Sequence, residues 1–241
     1  MKFLLLPLVA FALLAPAARA DLTIVQNVEG AGQINKMTIR IKGDKARVDA
    51  SPQVSTIINS RTGDMLNLMH DQKQFLRISA DQAKQAAQLA VQAEANKQPA
   101  EKPQLKPTGR KQTINGYEAE EYIAKAPAFT ATYWISTTYP QGAEIVKHLQ
   151  AMSPDAWGVS GQGMPDYRDF PGLPLRSTIS FGGNEITSTL TSVSQEPLGE
   201  SLFMAPPEWT EMKMPDLGSM LGGKPGTVKP QGAKPAPSPK R

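Results

Sequence analysis

The 241-residue chain contains no cysteine and only two histidines, and aromatic residues make up 6% of it. The absence of cysteine excludes disulfides, thiol catalysis and cysteine-ligated metal sites. The small number of histidines disfavours a histidine-based metal site, which needs three or four converging ligands. Stability must therefore come from burial of apolar side chains, and a chain of this length can form one sizeable core.

Long apolar runs are likewise absent after the first twenty residues. Within them, Lys2 is followed by an apolar segment at residues 3–15 and by small residues at 18 and 20, the pattern of a secretory signal peptide. The apolar segment is shorter than the roughly 20 residues that span a bilayer, so an uncleaved anchor is the less favoured alternative. We predict that residues 1–20 are removed after Ala20, which gives a periplasmic or secreted protein.

The C-terminal end has almost no large apolar residue. From Gly222 to Arg241 it contains five prolines and five basic residues but no acidic one, a composition that cannot offset the entropy cost of ordering. We predict a disordered basic tail over residues 215–241. Residues 21–221 contain all 22 acidic residues but only 19 of the basic ones, which argues against nucleic-acid binding by the folded body.

Alternating apolar and polar residues dominate residues 36–51, KMTIRIKGDKARVDAS. The alternation runs on both sides of Gly43-Asp44, which predicts two strands joined by a tight hairpin turn. Four more segments have the composition of strands, at residues 22–29, 55–60, 65–70 and 74–79. Their short connections exclude parallel crossovers, so we predict an antiparallel meander.

After the meander, the alternation of apolar and polar residues gives way to a helical pattern. Ser79 and Gln82 form a capping-box pattern at the start of a predicted helix over residues 80–97. The apolar residues of this helix are mostly alanines, so its buried face is thin. A proline-rich linker over residues 98–109 separates it from the second half of the chain.

A second block of strands begins at residue 110. Asn115-Gly116 is a strong hairpin signal, residues 140–152 have the period of a short helix, and a last pair of strands turns at residues 182–184. Two strand blocks, each followed by a helix, predict one α+β domain over residues 21–214. The two helices are the elements available to cover the apolar side of its sheet.

Several phrases of the sequence resemble a family of secreted bacterial proteins known only as a domain of unknown function. In order they are DLTIVQNVEG, MTIRIKGDKARVD, LMHDQKQFLRI, KQTINGYEAEEY, TYWI and EPLGESLFMAPPEW. That family is in turn distantly similar to the periplasmic Lol-type lipoprotein carriers and receptors. The resemblance implies an antiparallel half-barrel, an incomplete barrel covered by two helices, whose inner cavity accepts acyl chains. It implies no active-site residues, and the charged linker and basic tail depart from the carriers.

Few residues offer catalytic or metal-binding chemistry. His70 precedes Asp71 at the end of a predicted strand, and such a pair suits metal binding or general-base chemistry. No second histidine lies near it in the sequence, however. His148 lies four residues after Glu144 on the predicted helix, a spacing typical of surface pairs. We interpret neither histidine as catalytic.

Three further patterns also have non-catalytic interpretations. GVSGQG at residues 158–163 differs from the G-x-S-x-G of hydrolases in the place of its second glycine, and no strand precedes it. Glu118, Glu120 and Glu121 could suggest the paired acids of a glycosidase, but Glu118 and Glu120 face the same way in a strand and fit a solvated face better. The segment Met212–Met214 fits packing better than weak copper binding. We therefore predict no enzyme activity, no catalytic residue, no metal and no cofactor.

The remaining candidate site is the apolar side of the sheet, which is either a core filled by the helices or a partly open pocket. Burial of an acyl chain contributes about 0.8 kcal/mol per methylene, and methionine suits adaptable apolar surfaces. The sequence favours an exported non-enzymatic protein that binds a lipid, an acyl chain or a lipidated partner. An envelope adaptor whose basic tail contacts a membrane or the cell wall is the alternative. The predicted cavity residues are Met37, Ile39, Ile41, Val48, Met65, Met69, Phe75, Phe129, Tyr133, Ile135 and Leu190.

The adaptor hypothesis makes a prediction about residues 222–241. Each Lys or Arg near an anionic surface contributes about 1 kcal/mol, so deletion of this segment should abolish retention in the envelope fraction at low salt. A full-length variant with the five basic residues replaced by Gln separates the effect of charge from that of length. Unchanged fractionation of the deletion variant would contradict the adaptor hypothesis.

Overall fold

The computed structural model describes residues 21–93, 103–127, 129–151 and 167–213. These residues form a sheet of 12 strands, two α-helices, and short 3-10 helices at Tyr167–Asp169 and Glu200–Phe203. The strands are β1 (Leu22–Gly30), β2 (Gln33–Lys42), β3 (Lys45–Asp49), β4 (Val54–Asn59), β5 (Met65–Met69), β6 (Gln74–Ile78), β7 (Lys106–Ile114), β8 (Tyr117–Ala126), β9 (Phe129–Ser136), β10 (Leu173–Phe181), β11 (Asn184–Ser194) and β12 (Thr210–Met212). The helices are α1 (Ala80–Ala93) and α2 (Gly142–Ala151). The protein is thus a large, mainly antiparallel sheet with two helices, as the sequence predicts.

The strand order in the sheet is β12-β6-β5-β4-β3-β2-β1-β11-β10-β9-β8-β7. The first six strands lie side by side in chain order and pair antiparallel, which confirms the predicted meander. The parallel pairing of β12 with β6 has no counterpart in the sequence prediction. β12 is only three residues long, too short to show the period of a strand.

The pairing of β1 with β11 joins the two blocks of strands into one sheet. Its register runs from Thr23 opposite Ser194 to Gly30 opposite Ile186, with an irregularity beside Gln26. The Gln26 side chain accepts a hydrogen bond from the Ser188 hydroxyl at 2.9 Å. The first strand of the fold is therefore central in the sheet, and β7 and β12 form its two edges.

The sheet curls at the end that carries the β7–β8 turn. Asn115 and Gly116 have φ angles of 50° and 84°, the left-handed geometry of the predicted hairpin turn. The Asn115 side chain donates a hydrogen bond to the Leu190 carbonyl of β11, although β9 and β10 lie between β8 and β11 in the sheet. In a flat sheet β8 and β11 would be about 14 Å apart. Because Ile114 packs in the same cluster as Ile41 of β2, the turn must fold over the face that Ile41 occupies.

Helix α1 begins with the predicted capping box. The Gln82 amide donates to the Ser79 hydroxyl at 3.2 Å, and the Ser79 amide donates to the Gln82 side chain at 2.9 Å. The predicted residues 94–97 of this helix lie outside the described part of the chain. Among the described α1 side chains none is buried, in agreement with a thin apolar face.

Helix α2 is the described helix that packs on the sheet. Ile145 and Val146 are buried, and they lie in one cluster with Leu173 and Leu175 of β10. Among the described residues, neither helix is both long and apolar enough to cross a bilayer.

Strand β7 begins earlier than the sequence predicts. The predicted linker covers residues 98–109, but residues 106–109 already belong to β7. Pro107 is tolerated because β7 is an edge strand and because its pairing with β8 is irregular between Pro107 and Lys111. Gly109 supplies the positive φ of 78° within this irregular stretch. The proline and glycine therefore mark a deformed edge strand here rather than a linker.

A C-terminal segment, residues 198–212, crosses β3–β6 on one face of the sheet, and we call it the strap. Its Phe203 is 5% exposed and packs in one cluster with Leu66, Leu68 and Phe75. At the start of the strap the Leu198 amide donates to the Asp21 carboxylate at 2.7 Å. At the other end β12 pairs with the edge strand β6. The strap is thus held at both ends and by its central aromatic side chain.

Phe203 should be the main apolar anchor of the strap. Its replacement by Ala removes a buried ring and leaves a cavity, so the free energy of unfolding should fall by about 3–5 kcal/mol. The neighbouring Met204 is 57% exposed, and Met204→Ala should change it by less than about 0.5 kcal/mol. Urea unfolding of the two variants measures both values. Equal effects would show that burial of Phe203 does not hold the strap.

Candidate functional site

The register of the strands assigns each predicted cavity residue to one face of the sheet. Ile39 lies opposite Ile24 on one side and Val48 on the other, and Gln26, which lies opposite Met37, is also opposite Leu190. We call this face, over which the β7–β8 turn folds, the inner face. Seven predicted residues lie on it: Met37, Ile39, Ile41, Val48, Met65, Met69 and Leu190. Phe129, Tyr133 and Ile135 lie on the opposite face of β8–β9 from Ile114, because Ile135 pairs with Glu120 whereas Ile114 pairs with Tyr117.

Phe75 was assigned to the wrong face. It lies opposite Leu68, whereas Met69 lies opposite Gln74, so Phe75 belongs to the outer face beneath the strap. Strand β6 has apolar residues on both faces, since Phe75 alternates with Leu76. The sequence of β6 therefore does not indicate which of its two faces is the inner one.

The inner face is a filled core at the end covered by α2. Two of the predicted residues, Ile41 and Leu190, are buried there and share a cluster with Ile145 of α2. Tyr133 and Ile135 are buried in a separate cluster with Ala131, where the rings of Tyr133 and Phe170 lie 4.9 Å apart. At this end of the inner face, the side chains therefore form a filled core and not an open pocket.

The inner face of β2–β5 is more open. Met37, Ile39, Val48, Met65 and Met69 are all half-buried there, and we call these five residues the methionine patch. A polar pair adjoins the patch, in which the Thr56 hydroxyl donates to the Asn67 side chain at 2.8 Å. This bond satisfies the Thr56 proton and the Asn67 oxygen, whereas the NH2 group of Asn67 can donate to a polar group of a ligand.

A separate cavity of about 470 Å³ lies between the strap and β4–β6. Its apolar walls include Ile57, Leu66 and Phe75 from the sheet and Phe203 and Trp209 from the strap. We call it the strap cavity. Sequence reasoning missed it because its roof comes from a segment more than a hundred residues away in the chain.

A polar cluster connects the strap to β3–β5, and it was not predicted. Asp49 accepts hydrogen bonds from Ser55 and Arg47 and forms an ion pair with Arg40. The Ser55 hydroxyl also lies 2.7 Å from Nε2 of His70. The sequence pairs His70 with Asp71, whereas the fold places it beside a residue of the neighbouring strand.

The proton count of this cluster does not fit nucleophilic catalysis. Ser55 has one hydroxyl proton and donates it to Asp49. Nε2 of His70 must therefore be the donor to the Ser55 oxygen, whereas a catalytic base would accept the proton from serine. Ser55 is also only 1% exposed. The cluster is a structural one that positions the strap.

The other candidate side chains do not converge. Nδ1 of His148 lies 2.8 Å from the backbone carbonyl of Glu144, not from its carboxylate. Glu118 is exposed and pairs with Lys111 at 3.0 Å, as expected for a solvated face. Glu121, on the other face of β8, is buried.

Glu121 faces the edge strand β7, where its carboxylate accepts hydrogen bonds from Thr108 at 2.8 Å and from Arg110. Met212 lies in β12, whereas residues 158–163, Met214 and the tail are outside the described ranges. Within those ranges no three His, Asp or Glu side chains are placed to hold a metal ion.

Residues 21–209 match DUF4412, a domain of unknown function. The chain belongs to this family. The match includes the strap as far as Trp209, and it confirms the family predicted from the sequence phrases. Comparison with curated proteins gives no match.

Solved structures similar to the DUF4412 domain are distant. PNGF-II shares 18% identity, with a TM-score of 0.40 over 80% of this chain and 31% of that chain, so this chain spans about a third of its length. The lipoprotein LppX of Mycobacterium tuberculosis shares 12% identity, with a TM-score of 0.38 over 73% and 88% of the two chains. A LolA superfamily protein from Nitrosomonas europaea shares 8% identity, with a TM-score of 0.28 over 77% and 89%.

The charge of Asp49 in this DUF4412 domain is stabilised by its partners. Partial burial alone would raise the pKa of Asp49, but the hydrogen bonds from Ser55 and Arg47 and the charges of Arg47 and Arg40 outweigh it and lower that pKa below its usual value of 3.8. A carboxyl whose pKa is lowered by folding stabilises the folded state above the unfolded pKa, and this contribution is lost as the pH falls through the folded pKa.

Asp49→Asn should therefore have a pH-dependent effect. At pH 7 it removes a charged acceptor from several donors, and the free energy of unfolding should fall by about 1–3 kcal/mol. The difference from wild type should be complete above about pH 4 and should shrink as the pH falls below it. Urea unfolding from pH 7 to pH 3 measures it. The control is Asp44→Asn, since Asp44 pairs with the exposed Arg61 and should contribute little. A difference that is constant with pH would refute this account of Asp49.

Proposed function

We propose that this chain is an exported, non-enzymatic binding protein that holds a lipid, an acyl chain or a lipidated partner on the inner face of a half-barrel. The observation that carries the proposal is the methionine patch. Its five apolar side chains lie on one face of β2, β3 and β5 and are half-buried, whereas the α2 end of the same face is filled. The predicted signal peptide supports export.

The geometry of the patch suits a flexible apolar ligand. Four adjacent strands span about 14 Å, which is enough for a chain of about ten methylenes to lie across them. Such a chain would contribute about 8 kcal/mol gross, before the cost of immobilising it. Methionine side chains adapt to different chain shapes, and the NH2 group of Asn67, which the bond from Thr56 does not use, can donate to a polar group of the ligand.

Binding is better supported than catalysis by the polar groups of the described residues. The Ser55 proton is donated to Asp49 and is therefore unavailable to His70 acting as a base. Glu121 is buried beneath Arg110 and Thr108. These groups are engaged in structural hydrogen bonds, and the inner face contributes apolar contact instead.

Native mass spectrometry of the protein purified from the periplasm should detect a copurified lipid, and the delipidated protein should take up a fluorescent fatty acid. The double variant Met37→Gln/Met69→Gln places amides in the patch and should weaken uptake about tenfold, equivalent to about 1.4 kcal/mol. Ile34→Gln is the matched control, because Ile34 is 68% exposed at the other end of the same strand as Met37.

Two results would contradict the proposed function. One is a protein without copurified lipid that also fails to take up the fatty acid. The other is equal loss of uptake in the patch variant and in the Ile34 control, which would mean that the patch does not contact the ligand.

A further inference from the structure

The strap cavity has no role in the proposed function. It lies on the opposite face of the sheet from Met37 and Met69 of the methionine patch, although Met65 also lines it. We infer that it is a second binding site, which takes a small amphiphile with one apolar chain and an anionic head group. The chain would lie between the strap and β4–β6, and the head group would lie at Lys45 and Arg77.

The walls of the strap cavity have the composition of a ligand site. Its volume of about 470 Å³ lies within the roughly 300–1,000 Å³ typical of small-molecule pockets, which are mostly apolar with a few placed polar groups. Leu66 and Phe75 form part of its floor, and Phe203 and Trp209 form part of its roof. Leu66 and Asn67 are consecutive residues on opposite faces of β5, so the floor of the cavity lies on the other side of the sheet from Asn67, although Ile58 and Met65 also line the cavity.

The roof is held in place by contacts outside the cavity. Arg47 donates to the Leu202 carbonyl at 3.0 Å, and the Trp209 ring packs edge-on against His70 with ring centres 5.3 Å apart. Between these points the strap contains Pro206-Pro207, whose φ angles are restricted. A roof fixed in this way loses little conformational entropy when a ligand binds.

The polar residues at the cavity favour an anionic head group. Lys45 pairs with Glu200 at 3.0 Å, and Arg77 pairs with Glu211 at 3.3 Å. All four side chains are substantially exposed, and exposed ion pairs contribute little. An anionic head group can therefore replace either glutamate.

One acidic residue, Asp64, also lines the cavity. Its carboxylate accepts hydrogen bonds from the Ala80 amide at 3.1 Å and from the Thr62 hydroxyl at 2.8 Å. Ala80 is the first residue of α1, where the positive end of the helix dipole favours a carboxylate. The charge of Asp64 is thus already compensated, which leaves the two cations to select the head group.

Trp209 provides a direct test, because it lines the cavity. In a full-length Trp134→Phe/Trp157→Phe background, Trp209 is the remaining tryptophan of the three in the chain. Titration with 12-bromododecanoic acid below its micelle concentration should quench its fluorescence saturably, since bromine quenches only at contact. The uncharged 12-bromododecanol should bind at least tenfold more weakly.

Two charge variants with the same change in net charge complete the experiment. Lys45→Gln/Arg77→Gln should weaken the quenching by the acid at least tenfold, whereas Lys36→Gln/Arg61→Gln, which replaces exposed cations outside the cavity, should leave it unchanged. Thermal unfolding checks that each variant is folded.

The outcomes distinguish this site from the proposed function. Fatty-acid uptake without quenching of Trp209 would overturn the strap site while leaving the methionine patch intact. Quenching that is lost in Met37→Gln/Met69→Gln but kept in Lys45→Gln/Arg77→Gln would also overturn it. Equal quenching by the acid and the alcohol would refute selection of an anionic head group. Saturable, charge-dependent quenching that survives the patch substitutions would support the strap site even if the inner face binds nothing.

Discussion

The pairing of β1 with β11 is the constraint on which the rest of the structure depends. Without it, the meander of β1–β6 and the block of β7–β11 would be two separate sheets with additional open edges. With it, apolar side chains from both blocks lie on one continuous inner face. Because the paired residues are separated by more than 150 positions in the chain, the inner face exists only when both blocks are present, and local segments cannot form it alone.

The same pairing determines what happens at the edges of the sheet. Open edges expose unpaired backbone groups and favour aggregation. At one edge the strap returns as β12 and covers β6. At the other, β7 carries Lys106, Arg110 and Lys111 as well as Pro107, and charged residues and proline both discourage further strand addition. The strap therefore has two structural roles, because it covers the edge of β6 and also forms the roof of a cavity.

Local features of the fold could be predicted from the sequence, and features that depend on tertiary neighbours could not. The meander, the Asn115-Gly116 turn and the Ser79–Gln82 capping box each follow from a few consecutive residues, and each is observed. The face of Phe75 could not be predicted because β6 is apolar on both sides. The partner of His70 could not be predicted either, since Ser55 reaches it across a strand pair and not along the chain. Pro107 and Gly109 were interpreted as part of a linker, because proline and glycine are typical both of linkers and of irregular edge strands.

One layer of backbone separates the methionine patch from the strap cavity, and this has a consequence for how the two faces can evolve. Leu66 and Asn67 are adjacent in β5, and Thr56 and Ile57 are adjacent in β4, yet in each pair the side chains point to opposite faces. Of these four residues, Ile57 and Leu66 line the strap cavity. Substitution at one position changes the volume on one side of the sheet without placing atoms on the other. Backbone displacement of β4 or β5, in contrast, moves both walls together. The two faces can therefore differ independently in ligand preference through side-chain changes, while any change in strand position must suit both.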